Sequence, residues 1–196
     1  MGQYNFDQIL DRTHTKSLKY DFAVKRGKPA DVLPFWVADM DFEIPPELKQ
    51  ILLDRVNHGV FGYTESDDEY FDVLKNWFTT RFNWTPEQKW LVKTPGIVFA
   101  LAMAVRAFTK VGEGVLINQP VYYPFSMVIE DNNRRLINVP LIKGEERYTI
   151  DFEGIERAIV EENVTLFLLC NPHNPVGRVW TEDELKRLGD ICIKHN

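Results

Sequence analysis

The 196-residue sequence contains two cysteines and four histidines, and it has no long apolar run. Two cysteines are too few for the disulfide framework of a small secreted domain and are typical of a reduced, cytoplasmic protein. No apolar stretch approaches the roughly 20 residues of a membrane-spanning helix, and the N-terminus lacks the basic start and apolar core of a secretory signal. These absences argue against a membrane or secreted protein and favour a cytoplasmic one.

Positive charge is also scarce. Lysine and arginine total 23 against 29 aspartates and glutamates, which gives a formal net charge of -6. The densest basic cluster is the pair Arg134 and Arg135, so we expect no nucleic acid and no anionic membrane as partner. The histidines lack the spacing of metal ligands, and we predict no metal site. This composition favours a small molecule or another subunit as partner.

The sequence does contain alternating strand-like and helical segments. We expect strands at Trp90–Lys93, Val115–Ile117, Leu136–Val139 and Thr165–Cys170. We expect a turn followed by a helix over Pro120–Asp131, and helices around Leu48–Val56, Phe71–Phe78, Ile97–Phe108, Asp151–Val160 and Leu185–Cys192. Apolar strands separated by helices are typical of a mostly parallel sheet covered on both faces. The predicted fold class is therefore α/β, with three layers. Residues 1–45 lack clear periodicity and are expected to form an N-terminal arm, followed by a regular domain over 46–196.

The segment Asn171–Gly177, Asn-Pro-His-Asn-Pro-Val-Gly, follows the last apolar strand. In an open parallel sheet, ligands bind outside the carboxyl ends of the strands. The side-chain amide of Asn174 could donate a hydrogen bond to a phenolate-like oxygen there. The alternative is a turn that does nothing more than end the strand.

Two further segments occupy comparable positions. Thr94-Pro95-Gly96 precedes a helix whose free N–H groups suit a phosphate, although such a turn is often only a cap. Tyr122 and Tyr123 follow the strand Val115–Ile117, where an aromatic ring could stack on a flat ligand or simply pack against its neighbours. A phosphate cradle, a stacking ring and an amide at three strand ends describe a site for a flat phosphorylated ring.

The order of these motifs resembles the amino-terminal half of a fold-type I pyridoxal-phosphate enzyme of the class I/II aminotransferase superfamily. The segments Trp36–Phe42, His58–Thr64 and Asn171–Trp180 resemble the MalY/PatB group of cystathionine β-lyases. The resemblance covers essentially the whole chain but about half of a family member. It implies a small-domain segment at 1–45 and, at 46–196, the first part of the large cofactor-binding domain of the pyridoxal-phosphate-dependent transferase fold.

The resemblance also implies roles for individual residues. Gly96, Ile97 and Val98 would present backbone amides to the phosphate of pyridoxal 5'-phosphate, and Tyr122 would stack on its ring. Asn174 would hydrogen-bond the phenolic oxygen, and the Asn174–Pro175 bond is expected to be cis.

The same resemblance places two more segments at the site. Tyr63 would reach the cofactor phosphate of the other subunit in a homodimer, with a simple Gly-Tyr turn as the alternative. Trp36, Val37 and Ala38 would line the substrate's carboxylate side, or only pack in a core.

The implied reaction is a carbon–sulfur β-elimination on a sulfur-containing amino acid, of the cystathionine β-lyase type. An aminotransferase on the same scaffold is the alternative, because it uses the same cofactor contacts. No catalytic residue is identifiable, since the Schiff-base lysine of the family is expected beyond Asn196. We therefore expect the chain to be an inactive fragment of an enzyme. A non-catalytic fragment or dimerisation module is the alternative of another class.

Overall fold

The computed structural model describes residues 4–195 of the chain. These residues form two compact units, one ending at Tyr70 and the other beginning at Phe71. In the first unit a 3-10 turn covers Val24–Arg26 and helix α1 covers Pro46–His58; helix α2, Asp68–Phe82, contains the boundary. The assignment of 1–45 to an arm and 46–196 to a cofactor-binding domain stays a prediction. Residues 1–3 and 196 of those ranges lie outside the described part of the chain.

The residues at both ends of helix α1 suit the positions that they occupy. Pro46 occupies the first turn, where a missing backbone N–H carries no penalty. Gly59 ends the helix in the left-handed conformation, with φ of 74°, and its N–H donates to the carbonyl of Val56 at 3.0 Å. None of the α1 side chains is buried in this chain.

The second unit contains most of the regular structure. Its helices are α3 (Ile97–Phe108), α4 (Pro124–Glu130), α5 (Phe152–Glu161) and α6 (Glu182–His195), and its strands are β1 (Gly114–Ile117), β2 (Arg135–Asn138), β3 (Ile142–Lys143), β4 (Tyr148–Thr149) and β5 (Val164–Phe167). Side chains cap two of these helices. Asp151 accepts from the N–H of Gly154 at 2.8 Å, and Thr181 and Glu184 each accept from the other's N–H, at 3.2 and 2.8 Å.

Three strands form a parallel sheet in the order β2-β1-β5. Leu116 in β1 lies opposite Ile137 on one side and Phe167 on the other. Strands β3 and β4 pair separately as a short antiparallel ladder. Because all three sheet strands run the same way, the loops that follow β1 and β5 leave the sheet at the same edge and from neighbouring strands.

The two faces of β1 pack against different helices. Val115 and Ile117 join a core with Val105 of α3 and with the buried side of α4. Leu116 points to the opposite face and packs with residues of α5 and α6, including Ile155 and Leu188. This alternation follows from the two-residue period of a strand. The predicted three-layer α/β arrangement is confirmed.

One predicted strand is wrong. Trp90–Lys93 belongs to no sheet: a 3-10 turn covers Gln88–Trp90, and the residues after it have no regular structure. The ring of Trp90 stacks on Trp84, with centroids 6.3 Å apart and planes at 15°. Local aromatic pairing therefore anchors this segment, and Val92 stays 80% exposed instead of entering a core.

The helices formed by residues 4–195 do not include one that is long and apolar enough to cross a membrane.

Candidate functional site

The loop after β5 carries Asn174 and is held by its own hydrogen bonds. Asn171 Oδ1 accepts from the N–H of Trp180 at 3.1 Å, and the indole N–H of Trp180 donates to the carbonyl of Cys170 at 3.0 Å. The N–H of His173 donates to the carbonyl of Arg178 at 2.6 Å, which closes the loop on itself. These contacts fix the backbone on both sides of Asn174.

A charged pair anchors the far end of this loop. The buried guanidinium of Arg178 lies against both carboxylate oxygens of Glu184, at 2.8 and 2.7 Å, and packs over the ring of Trp180 at 4.5 Å. It also donates to the carbonyl of Tyr148. The loop is thereby attached both to the first turn of α6 and to β4. Nη2 makes the charge-assisted contact with Glu184 while Nη1 donates to Tyr148, so the two bonds together restrain the orientation of the loop.

Asn174 itself is exposed, and its side-chain amide has no hydrogen-bond partner among residues 4–195. Its backbone N–H lies 3.4 Å from the sulfur of Cys170. The Asn174–Pro175 bond is cis, as predicted, and the Asn171–Pro172 and Gln119–Pro120 bonds are cis as well. The side-chain amide of Asn174 is therefore exposed on a loop whose backbone is hydrogen-bonded on both sides of it.

The loop after β1 carries Tyr122. Asn118, buried at its start, donates to the carbonyl of Val139 at 2.8 Å, and the N–H of Gln119 donates to Asn138 Oδ1 at 3.0 Å. The ring of Tyr122 is 39% exposed and meets Tyr123 edge-on, with centroids 5.3 Å apart. One face of an aromatic ring at this edge of the sheet is thus available for stacking.

The structure brings these two loops together through His173, a residue for which the sequence predicts no role. The imidazole Nε2 of His173 lies 3.0 Å from the carbonyl oxygen of Pro120. His173 lies between two Asn-Pro pairs, and the sequence predicts a ligand contact for its neighbour Asn174 instead. Only the tertiary contact shows that the histidine points inward while the asparagine points out.

Gly96 forms the amino end of α3. Its φ of 153° lies in a region that residues with a Cβ rarely adopt, and the space where a Cβ would stand is open to 4 Å. No side chain caps the helix, and its first turn contains no acidic residue. The N–H groups of Ile97 and Val98 therefore face outward beside the positive end of the helix dipole, which suits an anion.

In the first unit, Trp36, Val37 and Ala38 lie in an extended segment. Val37 and Ala38, with neighbours that include Lys19 and Asp41, line an open depression of about 510 Å³. Val37 adopts a φ of 58°, which is unfavourable for a β-branched residue. The indole N–H of Trp36 is buried without an acceptor among the described residues. Strained backbone of this kind collects at binding sites.

An ionic cluster holds this segment in place. Asp41 receives hydrogen bonds from Arg12 and Lys19, both at 2.7 Å, and from the hydroxyl of Tyr20 at 3.0 Å. Arg12 also pairs with Asp39. The hydrogen bond from Lys19, followed by the one from Arg12, lowers the pKa of Asp41 to about 2. Asp39 and Asp41 thus tie the segment after Ala38 to residues 12–20.

Acid is expected to loosen this cluster. Since the pKa of Asp41 is about 2 in the folded chain and about 4 when unfolded, its contribution to stability is complete above pH 4 and is lost as the pH falls towards 2. Carbon-13 NMR of the Asp41 carboxyl group should show the low midpoint directly. Lys19→Met should raise this pKa, whereas Lys49→Met, which breaks an exposed pair with Glu43, should leave it unchanged. A midpoint near 4 in the unaltered chain would contradict the assignment.

Tyr63 lies in a stretch without regular structure, and its side chain is fully exposed, at 112% of the reference value. It belongs to the first unit with Trp36, Val37 and Ala38, whereas Gly96, Tyr122 and Asn174 belong to the second. The hydrogen bond between His173 and Pro120 joins the Tyr122 and Asn174 loops. No hydrogen bond or ring contact within residues 4–195 involves the side chain of Tyr63.

Comparison with known proteins identifies the family. Residues 30–196 match the family model of aminotransferase class I and II. The chain belongs to this family. The match includes the segment around Trp36 as well as the loops that carry Gly96, Tyr122 and Asn174.

Individual relatives agree with this membership. The chain is 42% identical over 191 residues to cystathionine β-lyase PatB of Bacillus subtilis, a match that covers 97% of this chain and 49% of PatB. Among solved structures, cystalysin of Treponema denticola, which contains a pyridoxal 5'-phosphate cofactor, superimposes with a TM-score of 0.88 at 40% identity, covering 98% of this chain and 50% of cystalysin. The pyridoxal-phosphate-bound C–S lyase of Staphylococcus hominis gives 0.89 at 35% identity, covering 99% and 49%.

These matches confirm the resemblance to the MalY/PatB group and the pyridoxal-phosphate-dependent transferase fold. The chain spans about half the length of the curated relatives that it matches.

Proposed function

We propose that the protein is a pyridoxal-phosphate-dependent carbon–sulfur β-lyase of the cystathionine β-lyase type. The observation that carries this proposal is the convergence of the Tyr122 and Asn174 loops at the carboxyl ends of two neighbouring parallel strands, β1 and β5. Parallel sheets of this kind bind ligands at that edge. The C–S lyases and the cystathionine β-lyase among the relatives supply the reaction class.

The residues of the Tyr122 and Asn174 loops, together with the first turn of α3, fit pyridoxal 5'-phosphate. The uncapped first turn of α3 offers the N–H groups of Gly96, Ile97 and Val98 to the phosphate. The half-exposed ring of Tyr122 would stack on the pyridine, and the unpartnered amide of Asn174 would donate to the phenolic oxygen. The bound cofactor would supply an electron sink for the charge that develops at the substrate's α-carbon.

The chain's own contribution is orientation. Tyr122 limits the tilt of a stacked ring, and Asn174 keeps the adjacent oxygen anionic and in the ring plane, because an amide N–H donates and cannot accept. Holding the reacting groups in one geometry removes much of the entropic barrier to reaction. We propose that none of the lysines in residues 4–195 binds the cofactor covalently. The catalytic lysine is expected elsewhere in the whole protein.

We further propose that the whole protein is a cytoplasmic homodimer in which Tyr63 contacts the cofactor phosphate of the other subunit. The full exposure of Tyr63 supports this, as does α1, whose apolar side chains are exposed, among them Leu48, Ile51, Leu52 and Val56. Exposed apolar surface of this extent usually meets another subunit. Trp36, Val37 and Ala38 would line the carboxylate side of the amino-acid substrate, and the strained Val37 supports that role.

The reaction is tested on the whole protein in which these residues occur. Incubation with pyridoxal phosphate and cystathionine should release pyruvate without any added keto acid. The second candidate is an aminotransferase, the activity after which the matching family is named. An aminotransferase would consume the amino acid only when a keto acid is supplied. Keto-acid-dependent turnover without pyruvate release would replace the lyase assignment with that of an aminotransferase.

A further inference from the structure

His173 connects the two loops that carry the proposed cofactor contacts. It directly precedes Asn174, and the carbonyl that it meets belongs to Pro120, two residues before Tyr122. The 3.0 Å contact spans 53 residues of sequence. Any movement of one loop relative to the other must therefore stretch or break this hydrogen bond.

The imidazole of His173 is held firmly. The residue is 2% exposed, and its ring meets Trp180 edge-on, with centroids 5.3 Å apart and planes at 81°. Its backbone N–H donates to Arg178, and its carbonyl accepts from the N–H of Gly177 at 2.8 Å. The ring cannot swing away from Pro120 without breaking the packing against Trp180.

The chemistry of the contact fixes the proton on the ring. A carbonyl oxygen can only accept, so Nε2 must carry the hydrogen that it donates to Pro120. Burial lowers the pKa of His173, which favours the neutral ring. Nδ1 is also buried and makes no hydrogen bond among the described residues. The link is therefore a neutral N–H···O hydrogen bond with one defined tautomer.

We propose that His173 is a positioning residue that sets the separation between the face of Tyr122 and the amide of Asn174. It touches neither a ligand nor a reacting atom. Its effect on ligand binding rests on the proposed function, since it assumes that Tyr122 and Asn174 both contact the cofactor. The coupling between the two loops does not depend on that assumption.

The coupling is tested on the ligand-free 196-residue chain by amide hydrogen exchange. Two hydrogen-bonded amides report on the loops: the N–H of Gln119, bonded to Asn138, and the N–H of Gly177, bonded to His173. His173→Leu removes the donor and should speed exchange at both amides. His173→Gln retains an amide donor and should restore slow exchange at Gln119. His195→Gln alters a histidine that pairs with Glu156 away from both loops, and it should change exchange at neither amide.

A second, spectroscopic measurement tests the hydrogen bond between His173 and Pro120. Long-range proton–nitrogen NMR of His173 should show a neutral ring protonated at Nε2, because Nε2 must carry the hydrogen that it donates to Pro120. Faster exchange at Gly177 but not at Gln119 in His173→Leu would overturn the coupling, as would protonation at Nδ1.

Binding is measured with pyridoxamine 5'-phosphate, which has the ring and the phosphate but no aldehyde to react with surface lysines. His173→Leu should weaken binding about tenfold, His173→Gln by less than about threefold, and His195→Gln not at all. If the unaltered chain does not bind this probe, the cofactor assignment fails while the exchange data still decide the coupling. If it binds and His173→Leu binds equally well, the positioning role is overturned.

Discussion

Gly96→Val is expected to weaken the binding of pyridoxamine 5'-phosphate to the chain about 100-fold, because two charge-assisted hydrogen bonds of about 1.5 kcal/mol each would be lost. A valine cannot adopt the φ of 153° that Gly96 has, so the backbone must rotate. That rotation turns the N–H groups of Ile97 and Val98 away from the phosphate. Fluorescence titration of the chain with the probe measures the loss.

Gly112→Val is the matched control. Gly112 also has a positive φ, of 84°, and an open space where a Cβ would stand, but it lies beyond the other end of α3. Both substitutions should lower the stability of the chain by about 1–3 kcal/mol through backbone strain. Only Gly96→Val should also lower the affinity, and circular dichroism identifies conditions in which both variants are folded. Equal affinities of the two folded variants would remove Gly96 from the phosphate site.

Leu116→Ala is expected to lower the free energy of unfolding by about 2–5 kcal/mol, because it removes a fully buried side chain from the central strand. Leu116 has no exposed surface and packs with Ile155 and Leu188 on the α5–α6 face of the sheet. Strand β1 is paired on both sides, so the surrounding structure has little room to collapse into the cavity. Urea unfolding followed by circular dichroism measures the change.

Ile193→Ala serves as the control in the same unit. Ile193 belongs to α6 but is 80% exposed, so its truncation should change the unfolding free energy by no more than about 0.5 kcal/mol. A similar change for both variants would contradict the central position of β1. It would also remove the basis for placing the Tyr122 and Asn174 loops side by side, since that proximity depends on β1 and β5 being neighbours.

Much of the local structure could be predicted from the sequence. The sequence predicts an apolar helix over Ile97–Phe108, and α3 occupies those residues. Gly59, Asp151 and the Thr181–Glu184 pair mark helix ends because each signal acts within a few residues of its own position. Such signals depend on backbone conformation and short-range hydrogen bonds, and tertiary packing rarely reverses them.

The predicted strand at Trp90–Lys93 is wrong because strand formation depends on contacts beyond the segment itself. Four residues are too few for periodicity to distinguish a strand from a turn, and a strand also needs a partner. Stacking of Trp90 on Trp84 depends on the preceding turn bringing the two rings together, which no hydrophobic pattern records.

The sequence by itself determined the α/β class, most of the helix ends, and the membership of an aminotransferase-type family through the order of its motifs. Tertiary structure alone decided the strand order β2-β1-β5 and the burial of His173 against Pro120. It also decided the pairing of Arg12 with Asp41, 29 residues apart. The physical reason is range: caps and periodicity act along the chain, whereas strand neighbours and buried polar contacts depend on which distant segments the core brings together.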